Sequence, residues 1–170
     1  MSEYRVRLYE AADQPALISL IRNFQNHLAE SDTADEVHSF QSDEDVLRYF
    51  EQMRWDVENR EGNTFVAHDE TGLVGFISGI VRRRPEQADV MFQTTHAPTV
   101  QGWIGLLFVL PNQRGQGIGR ALMDKMKSYF LNMGCNSMRL LVAHDNPGAV
   151  EMYRRYGMSE QELEMAITLR

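Results

Sequence analysis

Residues Gln113–Arg120 read QRGQGIGR, with glycine at positions 115, 117 and 119 directly ahead of a run with helical periodicity. Glycine loses more backbone entropy on folding than any other residue, so three in five positions need a compensating gain. The common gain is a close approach of bare backbone to a ligand, most often a phosphate at a helix N-terminus.

A chain of 170 residues is most simply one domain, 1–170, long enough to bury a full hydrophobic core. Its 43% hydrophobic and 24% charged residues are ordinary for a globular protein. No apolar run approaches the roughly 20 residues of a membrane span, and the charged start MSEYRVRLYE lacks a signal-peptide apolar region. The expected location is therefore cytoplasmic, with no membrane partner. The single cysteine, Cys135, excludes an intrachain disulfide and a multi-cysteine metal site, and is expected to be a small buried hydrophobe. No metal is expected.

The net charge of −7 is concentrated. Residues Glu30–Glu61 hold eleven acids against Arg48, Arg54 and Arg60, and the rest of the chain is nearly neutral. Nucleic acid is not expected as a partner, because its affinity comes mainly from neutralising phosphates. An acidic surface can attract a cationic substrate, although a solvated helix face explains the same acids.

The periodicities predict strands at Tyr4–Leu8, Thr64–Ala67, Leu73–Ile77, Val100–Leu110, Met138–Ala143 and Leu163–Leu169. The turn DETG joins the second and third of these strands, and Arg82–Thr95 reads as a longer excursion. One helix is predicted from an Asp13 N-cap, burying Ala16, Leu17, Leu20, Ile21, Phe24 and Leu28. A second runs from about Asp43 with Val46, Leu47, Phe50, Met53 and Val57 on one face, after the polar loop ESDTADEVHSFQ. A third presents Ile118, Leu122, Met126, Tyr129 and Met133 and closes at Gly134, and a short one opens at Pro147 and ends near Gly157. The order β-α-α-β-β-β-α-β-α-β predicts an α/β (α+β) fold, a mixed, mostly antiparallel central sheet with helices on both faces.

Three phosphate-binding readings compete for the glycine loop. A P-loop needs Lys-Ser/Thr after its last glycine, and Arg120-Ala121 follows instead. A dinucleotide fingerprint needs a glycine at its sixth position, which is Arg120 counted from Gly115 and Leu122 counted from Gly117. The third pattern, R/Q-x-x-G-x-G/A, is met by Arg114-Gly115-Gln116-Gly117-Ile118-Gly119. A second motif follows at NPGAVEMYRRYGM, matching N-x-x-A-x-x-x-Y-x-x-x-G-F with Met158 in place of Phe. On these two motifs, most specific from Leu106 to Gly157, the chain resembles the GNAT superfamily of acetyl-CoA-dependent N-acetyltransferases.

That resemblance implies direct attack of a primary amine on the thioester of acetyl-CoA. It places the pyrophosphate on the amides of Gly115, Gln116, Gly117, Ile118, Gly119 and Arg120, with Arg114 and Arg120 adding charge-assisted bonds. A ligand role is favoured for Arg114, whereas Arg120 can as well be a surface arginine. The pantetheine arm is expected to pair with the backbone of Leu107, Phe108 and Val109 like an added strand, and a backbone N–H there to polarise the thioester. Tyr153 takes the family's tyrosine position as the donor to the leaving sulfur, against the plainer reading of a core tyrosine. Asn146 is a helix cap, a pantetheine ligand, or both.

The amine must also be neutral to attack. At pH 7 a lysine-like amine is about 3.4 units from neutral, or about 4.6 kcal/mol. Many relatives in this superfamily carry a glutamate on the strand before the loop, or five residues before the asparagine. Here the strand has no acid and the second position is Leu141. His96, His144, Glu86, Asp89 and water all remain candidates for the base. The acceptor side of the fold holds the acidic surplus, including Asp32, Asp35, Glu36, Asp43, Glu44 and Asp45, so the expected acceptor is an amine of a small molecule or peptide, with a cationic one favoured. Trp55, Trp103 and Phe108 are candidates for lining its pocket or for core packing. A homodimer is kept open. The alternative from another class is a non-catalytic CoA-binding or interaction module of the same fold.

Overall fold

The computed structural model describes residues 3–31, 42–84, 87–89, 94–96, 99–143 and 146–161. Along the chain come β1 (Arg5–Leu8), α1 (Gln14–Ser31), α2 (Asp43–Asn59), β2 (Asn63–Asp69) and β3 (Gly72–Arg84). They are followed by β4 (Gln87–Asp89), β5 (Thr94–His96), β6 (Thr99–Val109), α3 (Ile118–Asn132), β7 (Ser137–Arg139) and α4 (Pro147–Tyr156). The predicted strand Leu163–Leu169 lies outside the described residues. No helix among the described residues is long and apolar enough to cross a membrane.

Five strands form one mixed sheet in the order β1-β2-β3-β6-β7, antiparallel except for the parallel pair β6–β7. β4 and β5 form a separate two-stranded ribbon inside the predicted excursion. β3 continues to Arg84, well past its predicted end, because it pairs with β6 along its whole length from Gly75 to Arg84.

Each face of the sheet is closed by its own core. α1 and α2 contribute Leu17, Leu20, Ile21, Val46, Phe50 and Met53, packed against Val66, Phe76, Leu106 and Phe108. On the other face α3 contributes Ile118, Leu122, Met123, Met126 and Phe130, packed against Ala67, Ile77, Val81 and Ile104. Cys135 is buried there, as its sequence context predicts. At about 25 cal/mol per Å² of apolar area, each large side chain in these layers is worth roughly 1.5–3 kcal/mol. Gly102 makes the second layer fit: a Cβ on it would lie 2.2 Å from the Phe130 ring.

Four local expectations are corrected, and one of them is the strand predicted at Met138–Ala143, which ends at Arg139 where its pairing with β6 stops. Asp13 does not cap α1, because a 3-10 turn, Ala11–Asp13, runs straight into the helix. Its carboxylate instead receives both Arg7 guanidinium nitrogens, at 2.6 and 2.8 Å, and the Glu10 N–H at 2.9 Å. Ala16 and Leu47 are exposed, so the buried stripes of α1 and α2 are narrower than their periodicity suggests. α2 is capped by Ser42, whose hydroxyl accepts the Asp45 N–H at 3.2 Å.

One irregularity in β6 matters for function. Its register on β3 slips between Ser78 and Gly79, pairing Ser78 with Leu106 and Gly79 with Ile104. Gly105 is the extra, bulged residue. Two positions apart, Ile104 and Leu106 would face the same way in a regular strand. Here Ile104 joins the α3 layer and Leu106 joins the α1/α2 layer. The bulge reverses the face on which the second half of β6 is read.

Candidate active site

β7 pairs with β6 only from Gln101 to Trp103. Beyond that point the two strands part, and among the described residues the β7-side edge of β6 is unpaired through Val109. Leu110 donates its N–H to Val74 O on the β3 side, so by strand alternation Leu107 and Val109 turn their N–H and C=O to the open edge. Arg114 Nε donates to Val109 O at 3.1 Å, which agrees with that assignment.

The chain leaves β6 through a 3-10 turn, Pro111–Gln113, and enters the glycine loop. Gly115 and Gly117 have φ of +78° and +83°, a region that side chains with a Cβ rarely occupy, and Gly117 is the N-cap of α3. Gly119 differs, since it sits in the first turn of α3 with no positive φ. A Cβ there would have only Val109 Cγ2 near it, at 3.9 Å, and would otherwise reach into open space. The first amides of α3 have no intrahelical acceptors and carry the positive end of a 15-residue helix.

These elements enclose a cleft of about 450 Å³. Leu107, Phe108, Val109, Arg114, Gly115, Gly117, Ile118, Gly119, Arg120, Asn146 and Tyr153 line it together, eleven of the twelve residues singled out in the sequence. The Gln116 side chain is not among the lining groups and donates Nε2 to Gln113 Oε1 at 3.0 Å. Phe24 and His27 of α1 and Met152 of α4 also line the cleft, and sequence reasoning missed them. Their helical spacing marks a packing face, and nothing in it says which end of that face meets the cleft.

Asn146 caps α4: its Oδ1 accepts the Ala149 N–H at 3.1 Å. The cap leaves the Nδ2 donor over for the cleft, so capping and ligand binding are compatible roles. Tyr153 lies almost two turns further along, and its hydroxyl has no hydrogen-bond partner among the described residues. Burial pushes its phenol up to about 12. Tyr156 donates to Asp124 Oδ1 at 2.8 Å, which fixes α4 to α3, and burial raises its phenol further still. Arg120 lies over the Tyr156 ring, 5.6 Å from its centroid.

The cleft fits a CoA-type ligand on grounds visible in the chain itself. The open edge of β6 matches an amide-bearing arm, the α3 N-terminus and Arg120 match a pyrophosphate, and the absent Cβ at Gly119 leaves room for close approach. Of the base candidates, Glu86 and His144 lie outside the described residues. Asp89 and His96 fall on the β4–β5 ribbon, in whose register Asp89 pairs with Thr94 and His96 with Gln87. Asp32, Asp35 and Glu36 also lie outside the described residues. Of the remaining acids, Asp43 pairs with Arg22 at 2.6 Å, and Glu44 and Asp45 lie 3.2 and 3.7 Å from Arg48.

Residues 25–158 match the Acetyltransferase (GNAT) family. The chain belongs to that family. It is similar to an uncharacterized N-acetyltransferase of Bacillus subtilis, 32% identical over 126 residues covering 71% of this chain and 65% of that one. It is also similar to the mouse thialysine N-epsilon-acetyltransferase, 39% identical over 54 residues covering 32% of each chain. The matched stretches span only 25% to 41% of the length of the first curated relatives. Among solved structures, an aminoglycoside N-acetyltransferase in complex with CoA superposes with a TM-score of 0.70 at 17% identity, covering 100% of this chain and 97% of that one. At that identity the GNAT family member shares its fold with the CoA-bound enzyme.

Proposed function

We propose that this chain is an acetyl-CoA-dependent N-acetyltransferase that moves the acetyl group directly to a primary amine of a small molecule or peptide. One observation carries the reading: the glycine loop, the start of α3, the open edge of β6 and the unpartnered Tyr153 hydroxyl line a single cleft. The family membership and the CoA held by the aminoglycoside enzyme support the same cosubstrate. The name of the mouse enzyme supports an amine acceptor.

In this reading the amides from Gly115 to Arg120 bind the pyrophosphate, and Leu107 and Val109 pair with the pantetheine arm. An N–H on the open edge of β6 polarises the thioester carbonyl. The amine nitrogen forms the new C–N bond, the C–S bond breaks, and the departing thiolate takes a hydrogen bond from Tyr153. The proton lost by the amine goes to solvent or to a carboxylate of the acceptor side. A non-catalytic CoA-binding module would have no use for a buried phenol left without a partner, and Tyr153 therefore favours the enzyme.

The test has two parts. At 100 times its dissociation constant, acetyl-CoA should stabilise the fold by about 2.7 kcal/mol, read as a raised Tm. CoA thiol release across a panel of primary amines should then identify turnover. No thermal shift at saturating acetyl-CoA overturns the cosubstrate assignment, and a shift without turnover of any amine favours the binding module.

A further inference from the structure

A second cavity, about 220 Å³ within the described residues, lies between α2 and the strands β3 and β6. It touches Gly105 and Leu106, whereas the CoA-type cleft begins at Leu107. Consecutive residues of β6, directly after the bulge, thus line the two cavities. A molecule in the second cavity would lie next to the stretch of β6 assigned above to the thioester.

Its polar lining is specific. Arg82 lies with its guanidinium 3.7 Å from the centroid of the Trp103 ring and has no carboxylate partner among the described residues. Burial, together with the charges of Arg84 and Arg60, lowers its proton affinity. A guanidinium lying over an indole at this distance keeps N–H groups for a planar anion. Asp56 faces the same cavity with the opposite need. Its Oδ1 is buried without a directed donor, although Arg60 Nε lies 3.1 Å away in an ion pair of poor hydrogen-bond alignment. Its Oδ2 accepts from Gln52 Nε2 at 3.3 Å. Asp56 and Arg82 influence each other electrostatically yet make no salt bridge. A carboxylate with lone pairs to spare and an arginine without a carboxylate partner among the described residues therefore line one small cavity.

We propose that this cavity receives the acceptor as a diamino acid: Arg82 binds its carboxylate, Asp56 its α-ammonium, and the distal amine extends to the bulge at Gly105 to be acetylated. This rests on the N-acetyltransferase reading above. With the α-ammonium on Asp56, the arginine fork is left for one planar anion, and a carboxylate offers two oxygens to it. The volume lies below the roughly 300–1,000 Å³ of drug-sized pockets and suits an amino acid. Separation of the two ends matters chemically, because a carboxylate beside the reacting amine would hold it protonated. Placing Asp56 on the α-ammonium avoids that.

The experiment uses three acceptors with acetyl-CoA: lysine, cadaverine, which lacks the carboxylate, and ε-aminocaproate, which lacks the α-amine. For the wild type, kcat/KM should favour lysine over each of the other two by about tenfold or more, the worth of one charge-assisted bond. Arg82→Gln should raise KM for lysine and ε-aminocaproate with kcat little changed, and leave cadaverine alone. Asp56→Asn should raise KM for lysine and leave ε-aminocaproate alone. Titration of lysine into the protein–CoA complex should show the same losses without turnover. Arg82→Lys, which keeps the charge and loses the fork, should fall between wild type and Arg82→Gln and serves if the glutamine variant does not fold. Equal or better use of cadaverine, preference for an O-phosphorylated amine, or an Arg82→Gln defect shared by all three acceptors overturns the proposal. If acetyl-CoA binds and other amines are acetylated while lysine is neither bound nor used, this inference fails and the N-acetyltransferase reading stands. If acetyl-CoA does not bind, both fail.

Discussion

Leu106 and Leu107 are neighbours in β6 but line different cavities, because successive residues of a strand point to opposite faces, and the extra residue Gly105 decides that Leu106 is the one that joins the α1/α2 layer. Leu106 closes the cavity beneath α2, and Leu107 opens the cleft that meets the glycine loop.

Gly119→Ala separates the two uses of glycine in the loop. Gly119 needs no left-handed backbone, so alanine there should leave the apoprotein unchanged or stabilise it by about 0.5–1 kcal/mol. The added methyl enters the cleft and should weaken acetyl-CoA binding by about tenfold or more. Calorimetric Tm and acetyl-CoA affinity, measured on the same sample, should move in opposite directions. Unchanged affinity would mean that the ligand does not approach Gly119. Gly117→Val is a poorer probe, because φ of +83° strains any β-branched residue whatever the ligand does.

Tyr153→Phe should leave Tm and acetyl-CoA affinity intact, since the hydroxyl has no partner to lose. A phenol pushed up to about 12 lies about 3.5 units above a reference thiol, so full proton transfer is uphill by about 4.8 kcal/mol. The phenol then acts mainly as a hydrogen-bond donor, and kcat should fall about 10²-fold, the low end of the general acid range. Steady-state kinetics with chemistry rate-limiting decide it; a wild-type kcat would return Tyr153 to the core.

The same shift fixes a pH dependence. The folded pKa of Tyr153 lies above the unfolded value of about 10, so its contribution to stability is complete below pH 10 and is lost as pH rises toward 12. Activity should accordingly show no alkaline loss from this group between pH 7 and 10. A wild-type kcat profile with a fall in that range that Tyr153→Phe abolishes would contradict the assignment.

Asn146→Asp and Asn146→Ala distinguish cap from ligand. Aspartate keeps an oxygen for the Ala149 N–H and removes the Nδ2 donor, so stability should hold while acetyl-CoA affinity falls. Alanine removes both and should also cost about 1 kcal/mol of stability. If aspartate binds acetyl-CoA as well as the wild type, Asn146 is a cap alone.

Asp13 supplies an acid-side prediction. The bidentate Arg7 bond holds its carboxyl below the usual carboxylate range. The folded pKa is depressed, so the contribution is present above about pH 4, the unfolded value, and is lost as pH falls through the folded one. Asp13→Ala should destabilise by about 1–3 kcal/mol at pH 7, and the gap to wild type should narrow on acidification below pH 4. Urea midpoints at pH 7 and pH 3 provide the measurement; a gap independent of pH would assign the loss to packing.

The sequence by itself determined the features that are local in chain and in physics. Two positive-φ glycines before a helix, an asparagine followed by proline at a helix start, and stripes at 3.6-residue spacing act over a few residues, and each appears where the sequence places it. The glycine loop and the Asn146–Tyr153 helix were therefore legible together as one site. What only the tertiary structure decided depends on pairing between distant segments. The apolar run VQGWIGLLFVL is hydrophobic on both faces, so its pattern cannot reveal that Gly105 is bulged or that the faces exchange there. Gly102 reads as a weak point in a strand until Phe130 is seen packed above it. Asp13 reads as a cap until Arg7, from the preceding strand, takes its carboxylate. Arg82 reads as the start of the excursion after the predicted strand, and only the β3–β6 register brings Trp103 beneath its guanidinium. Local propensity is encoded residue by residue, whereas register and burial come from the cooperative fit of the whole sheet.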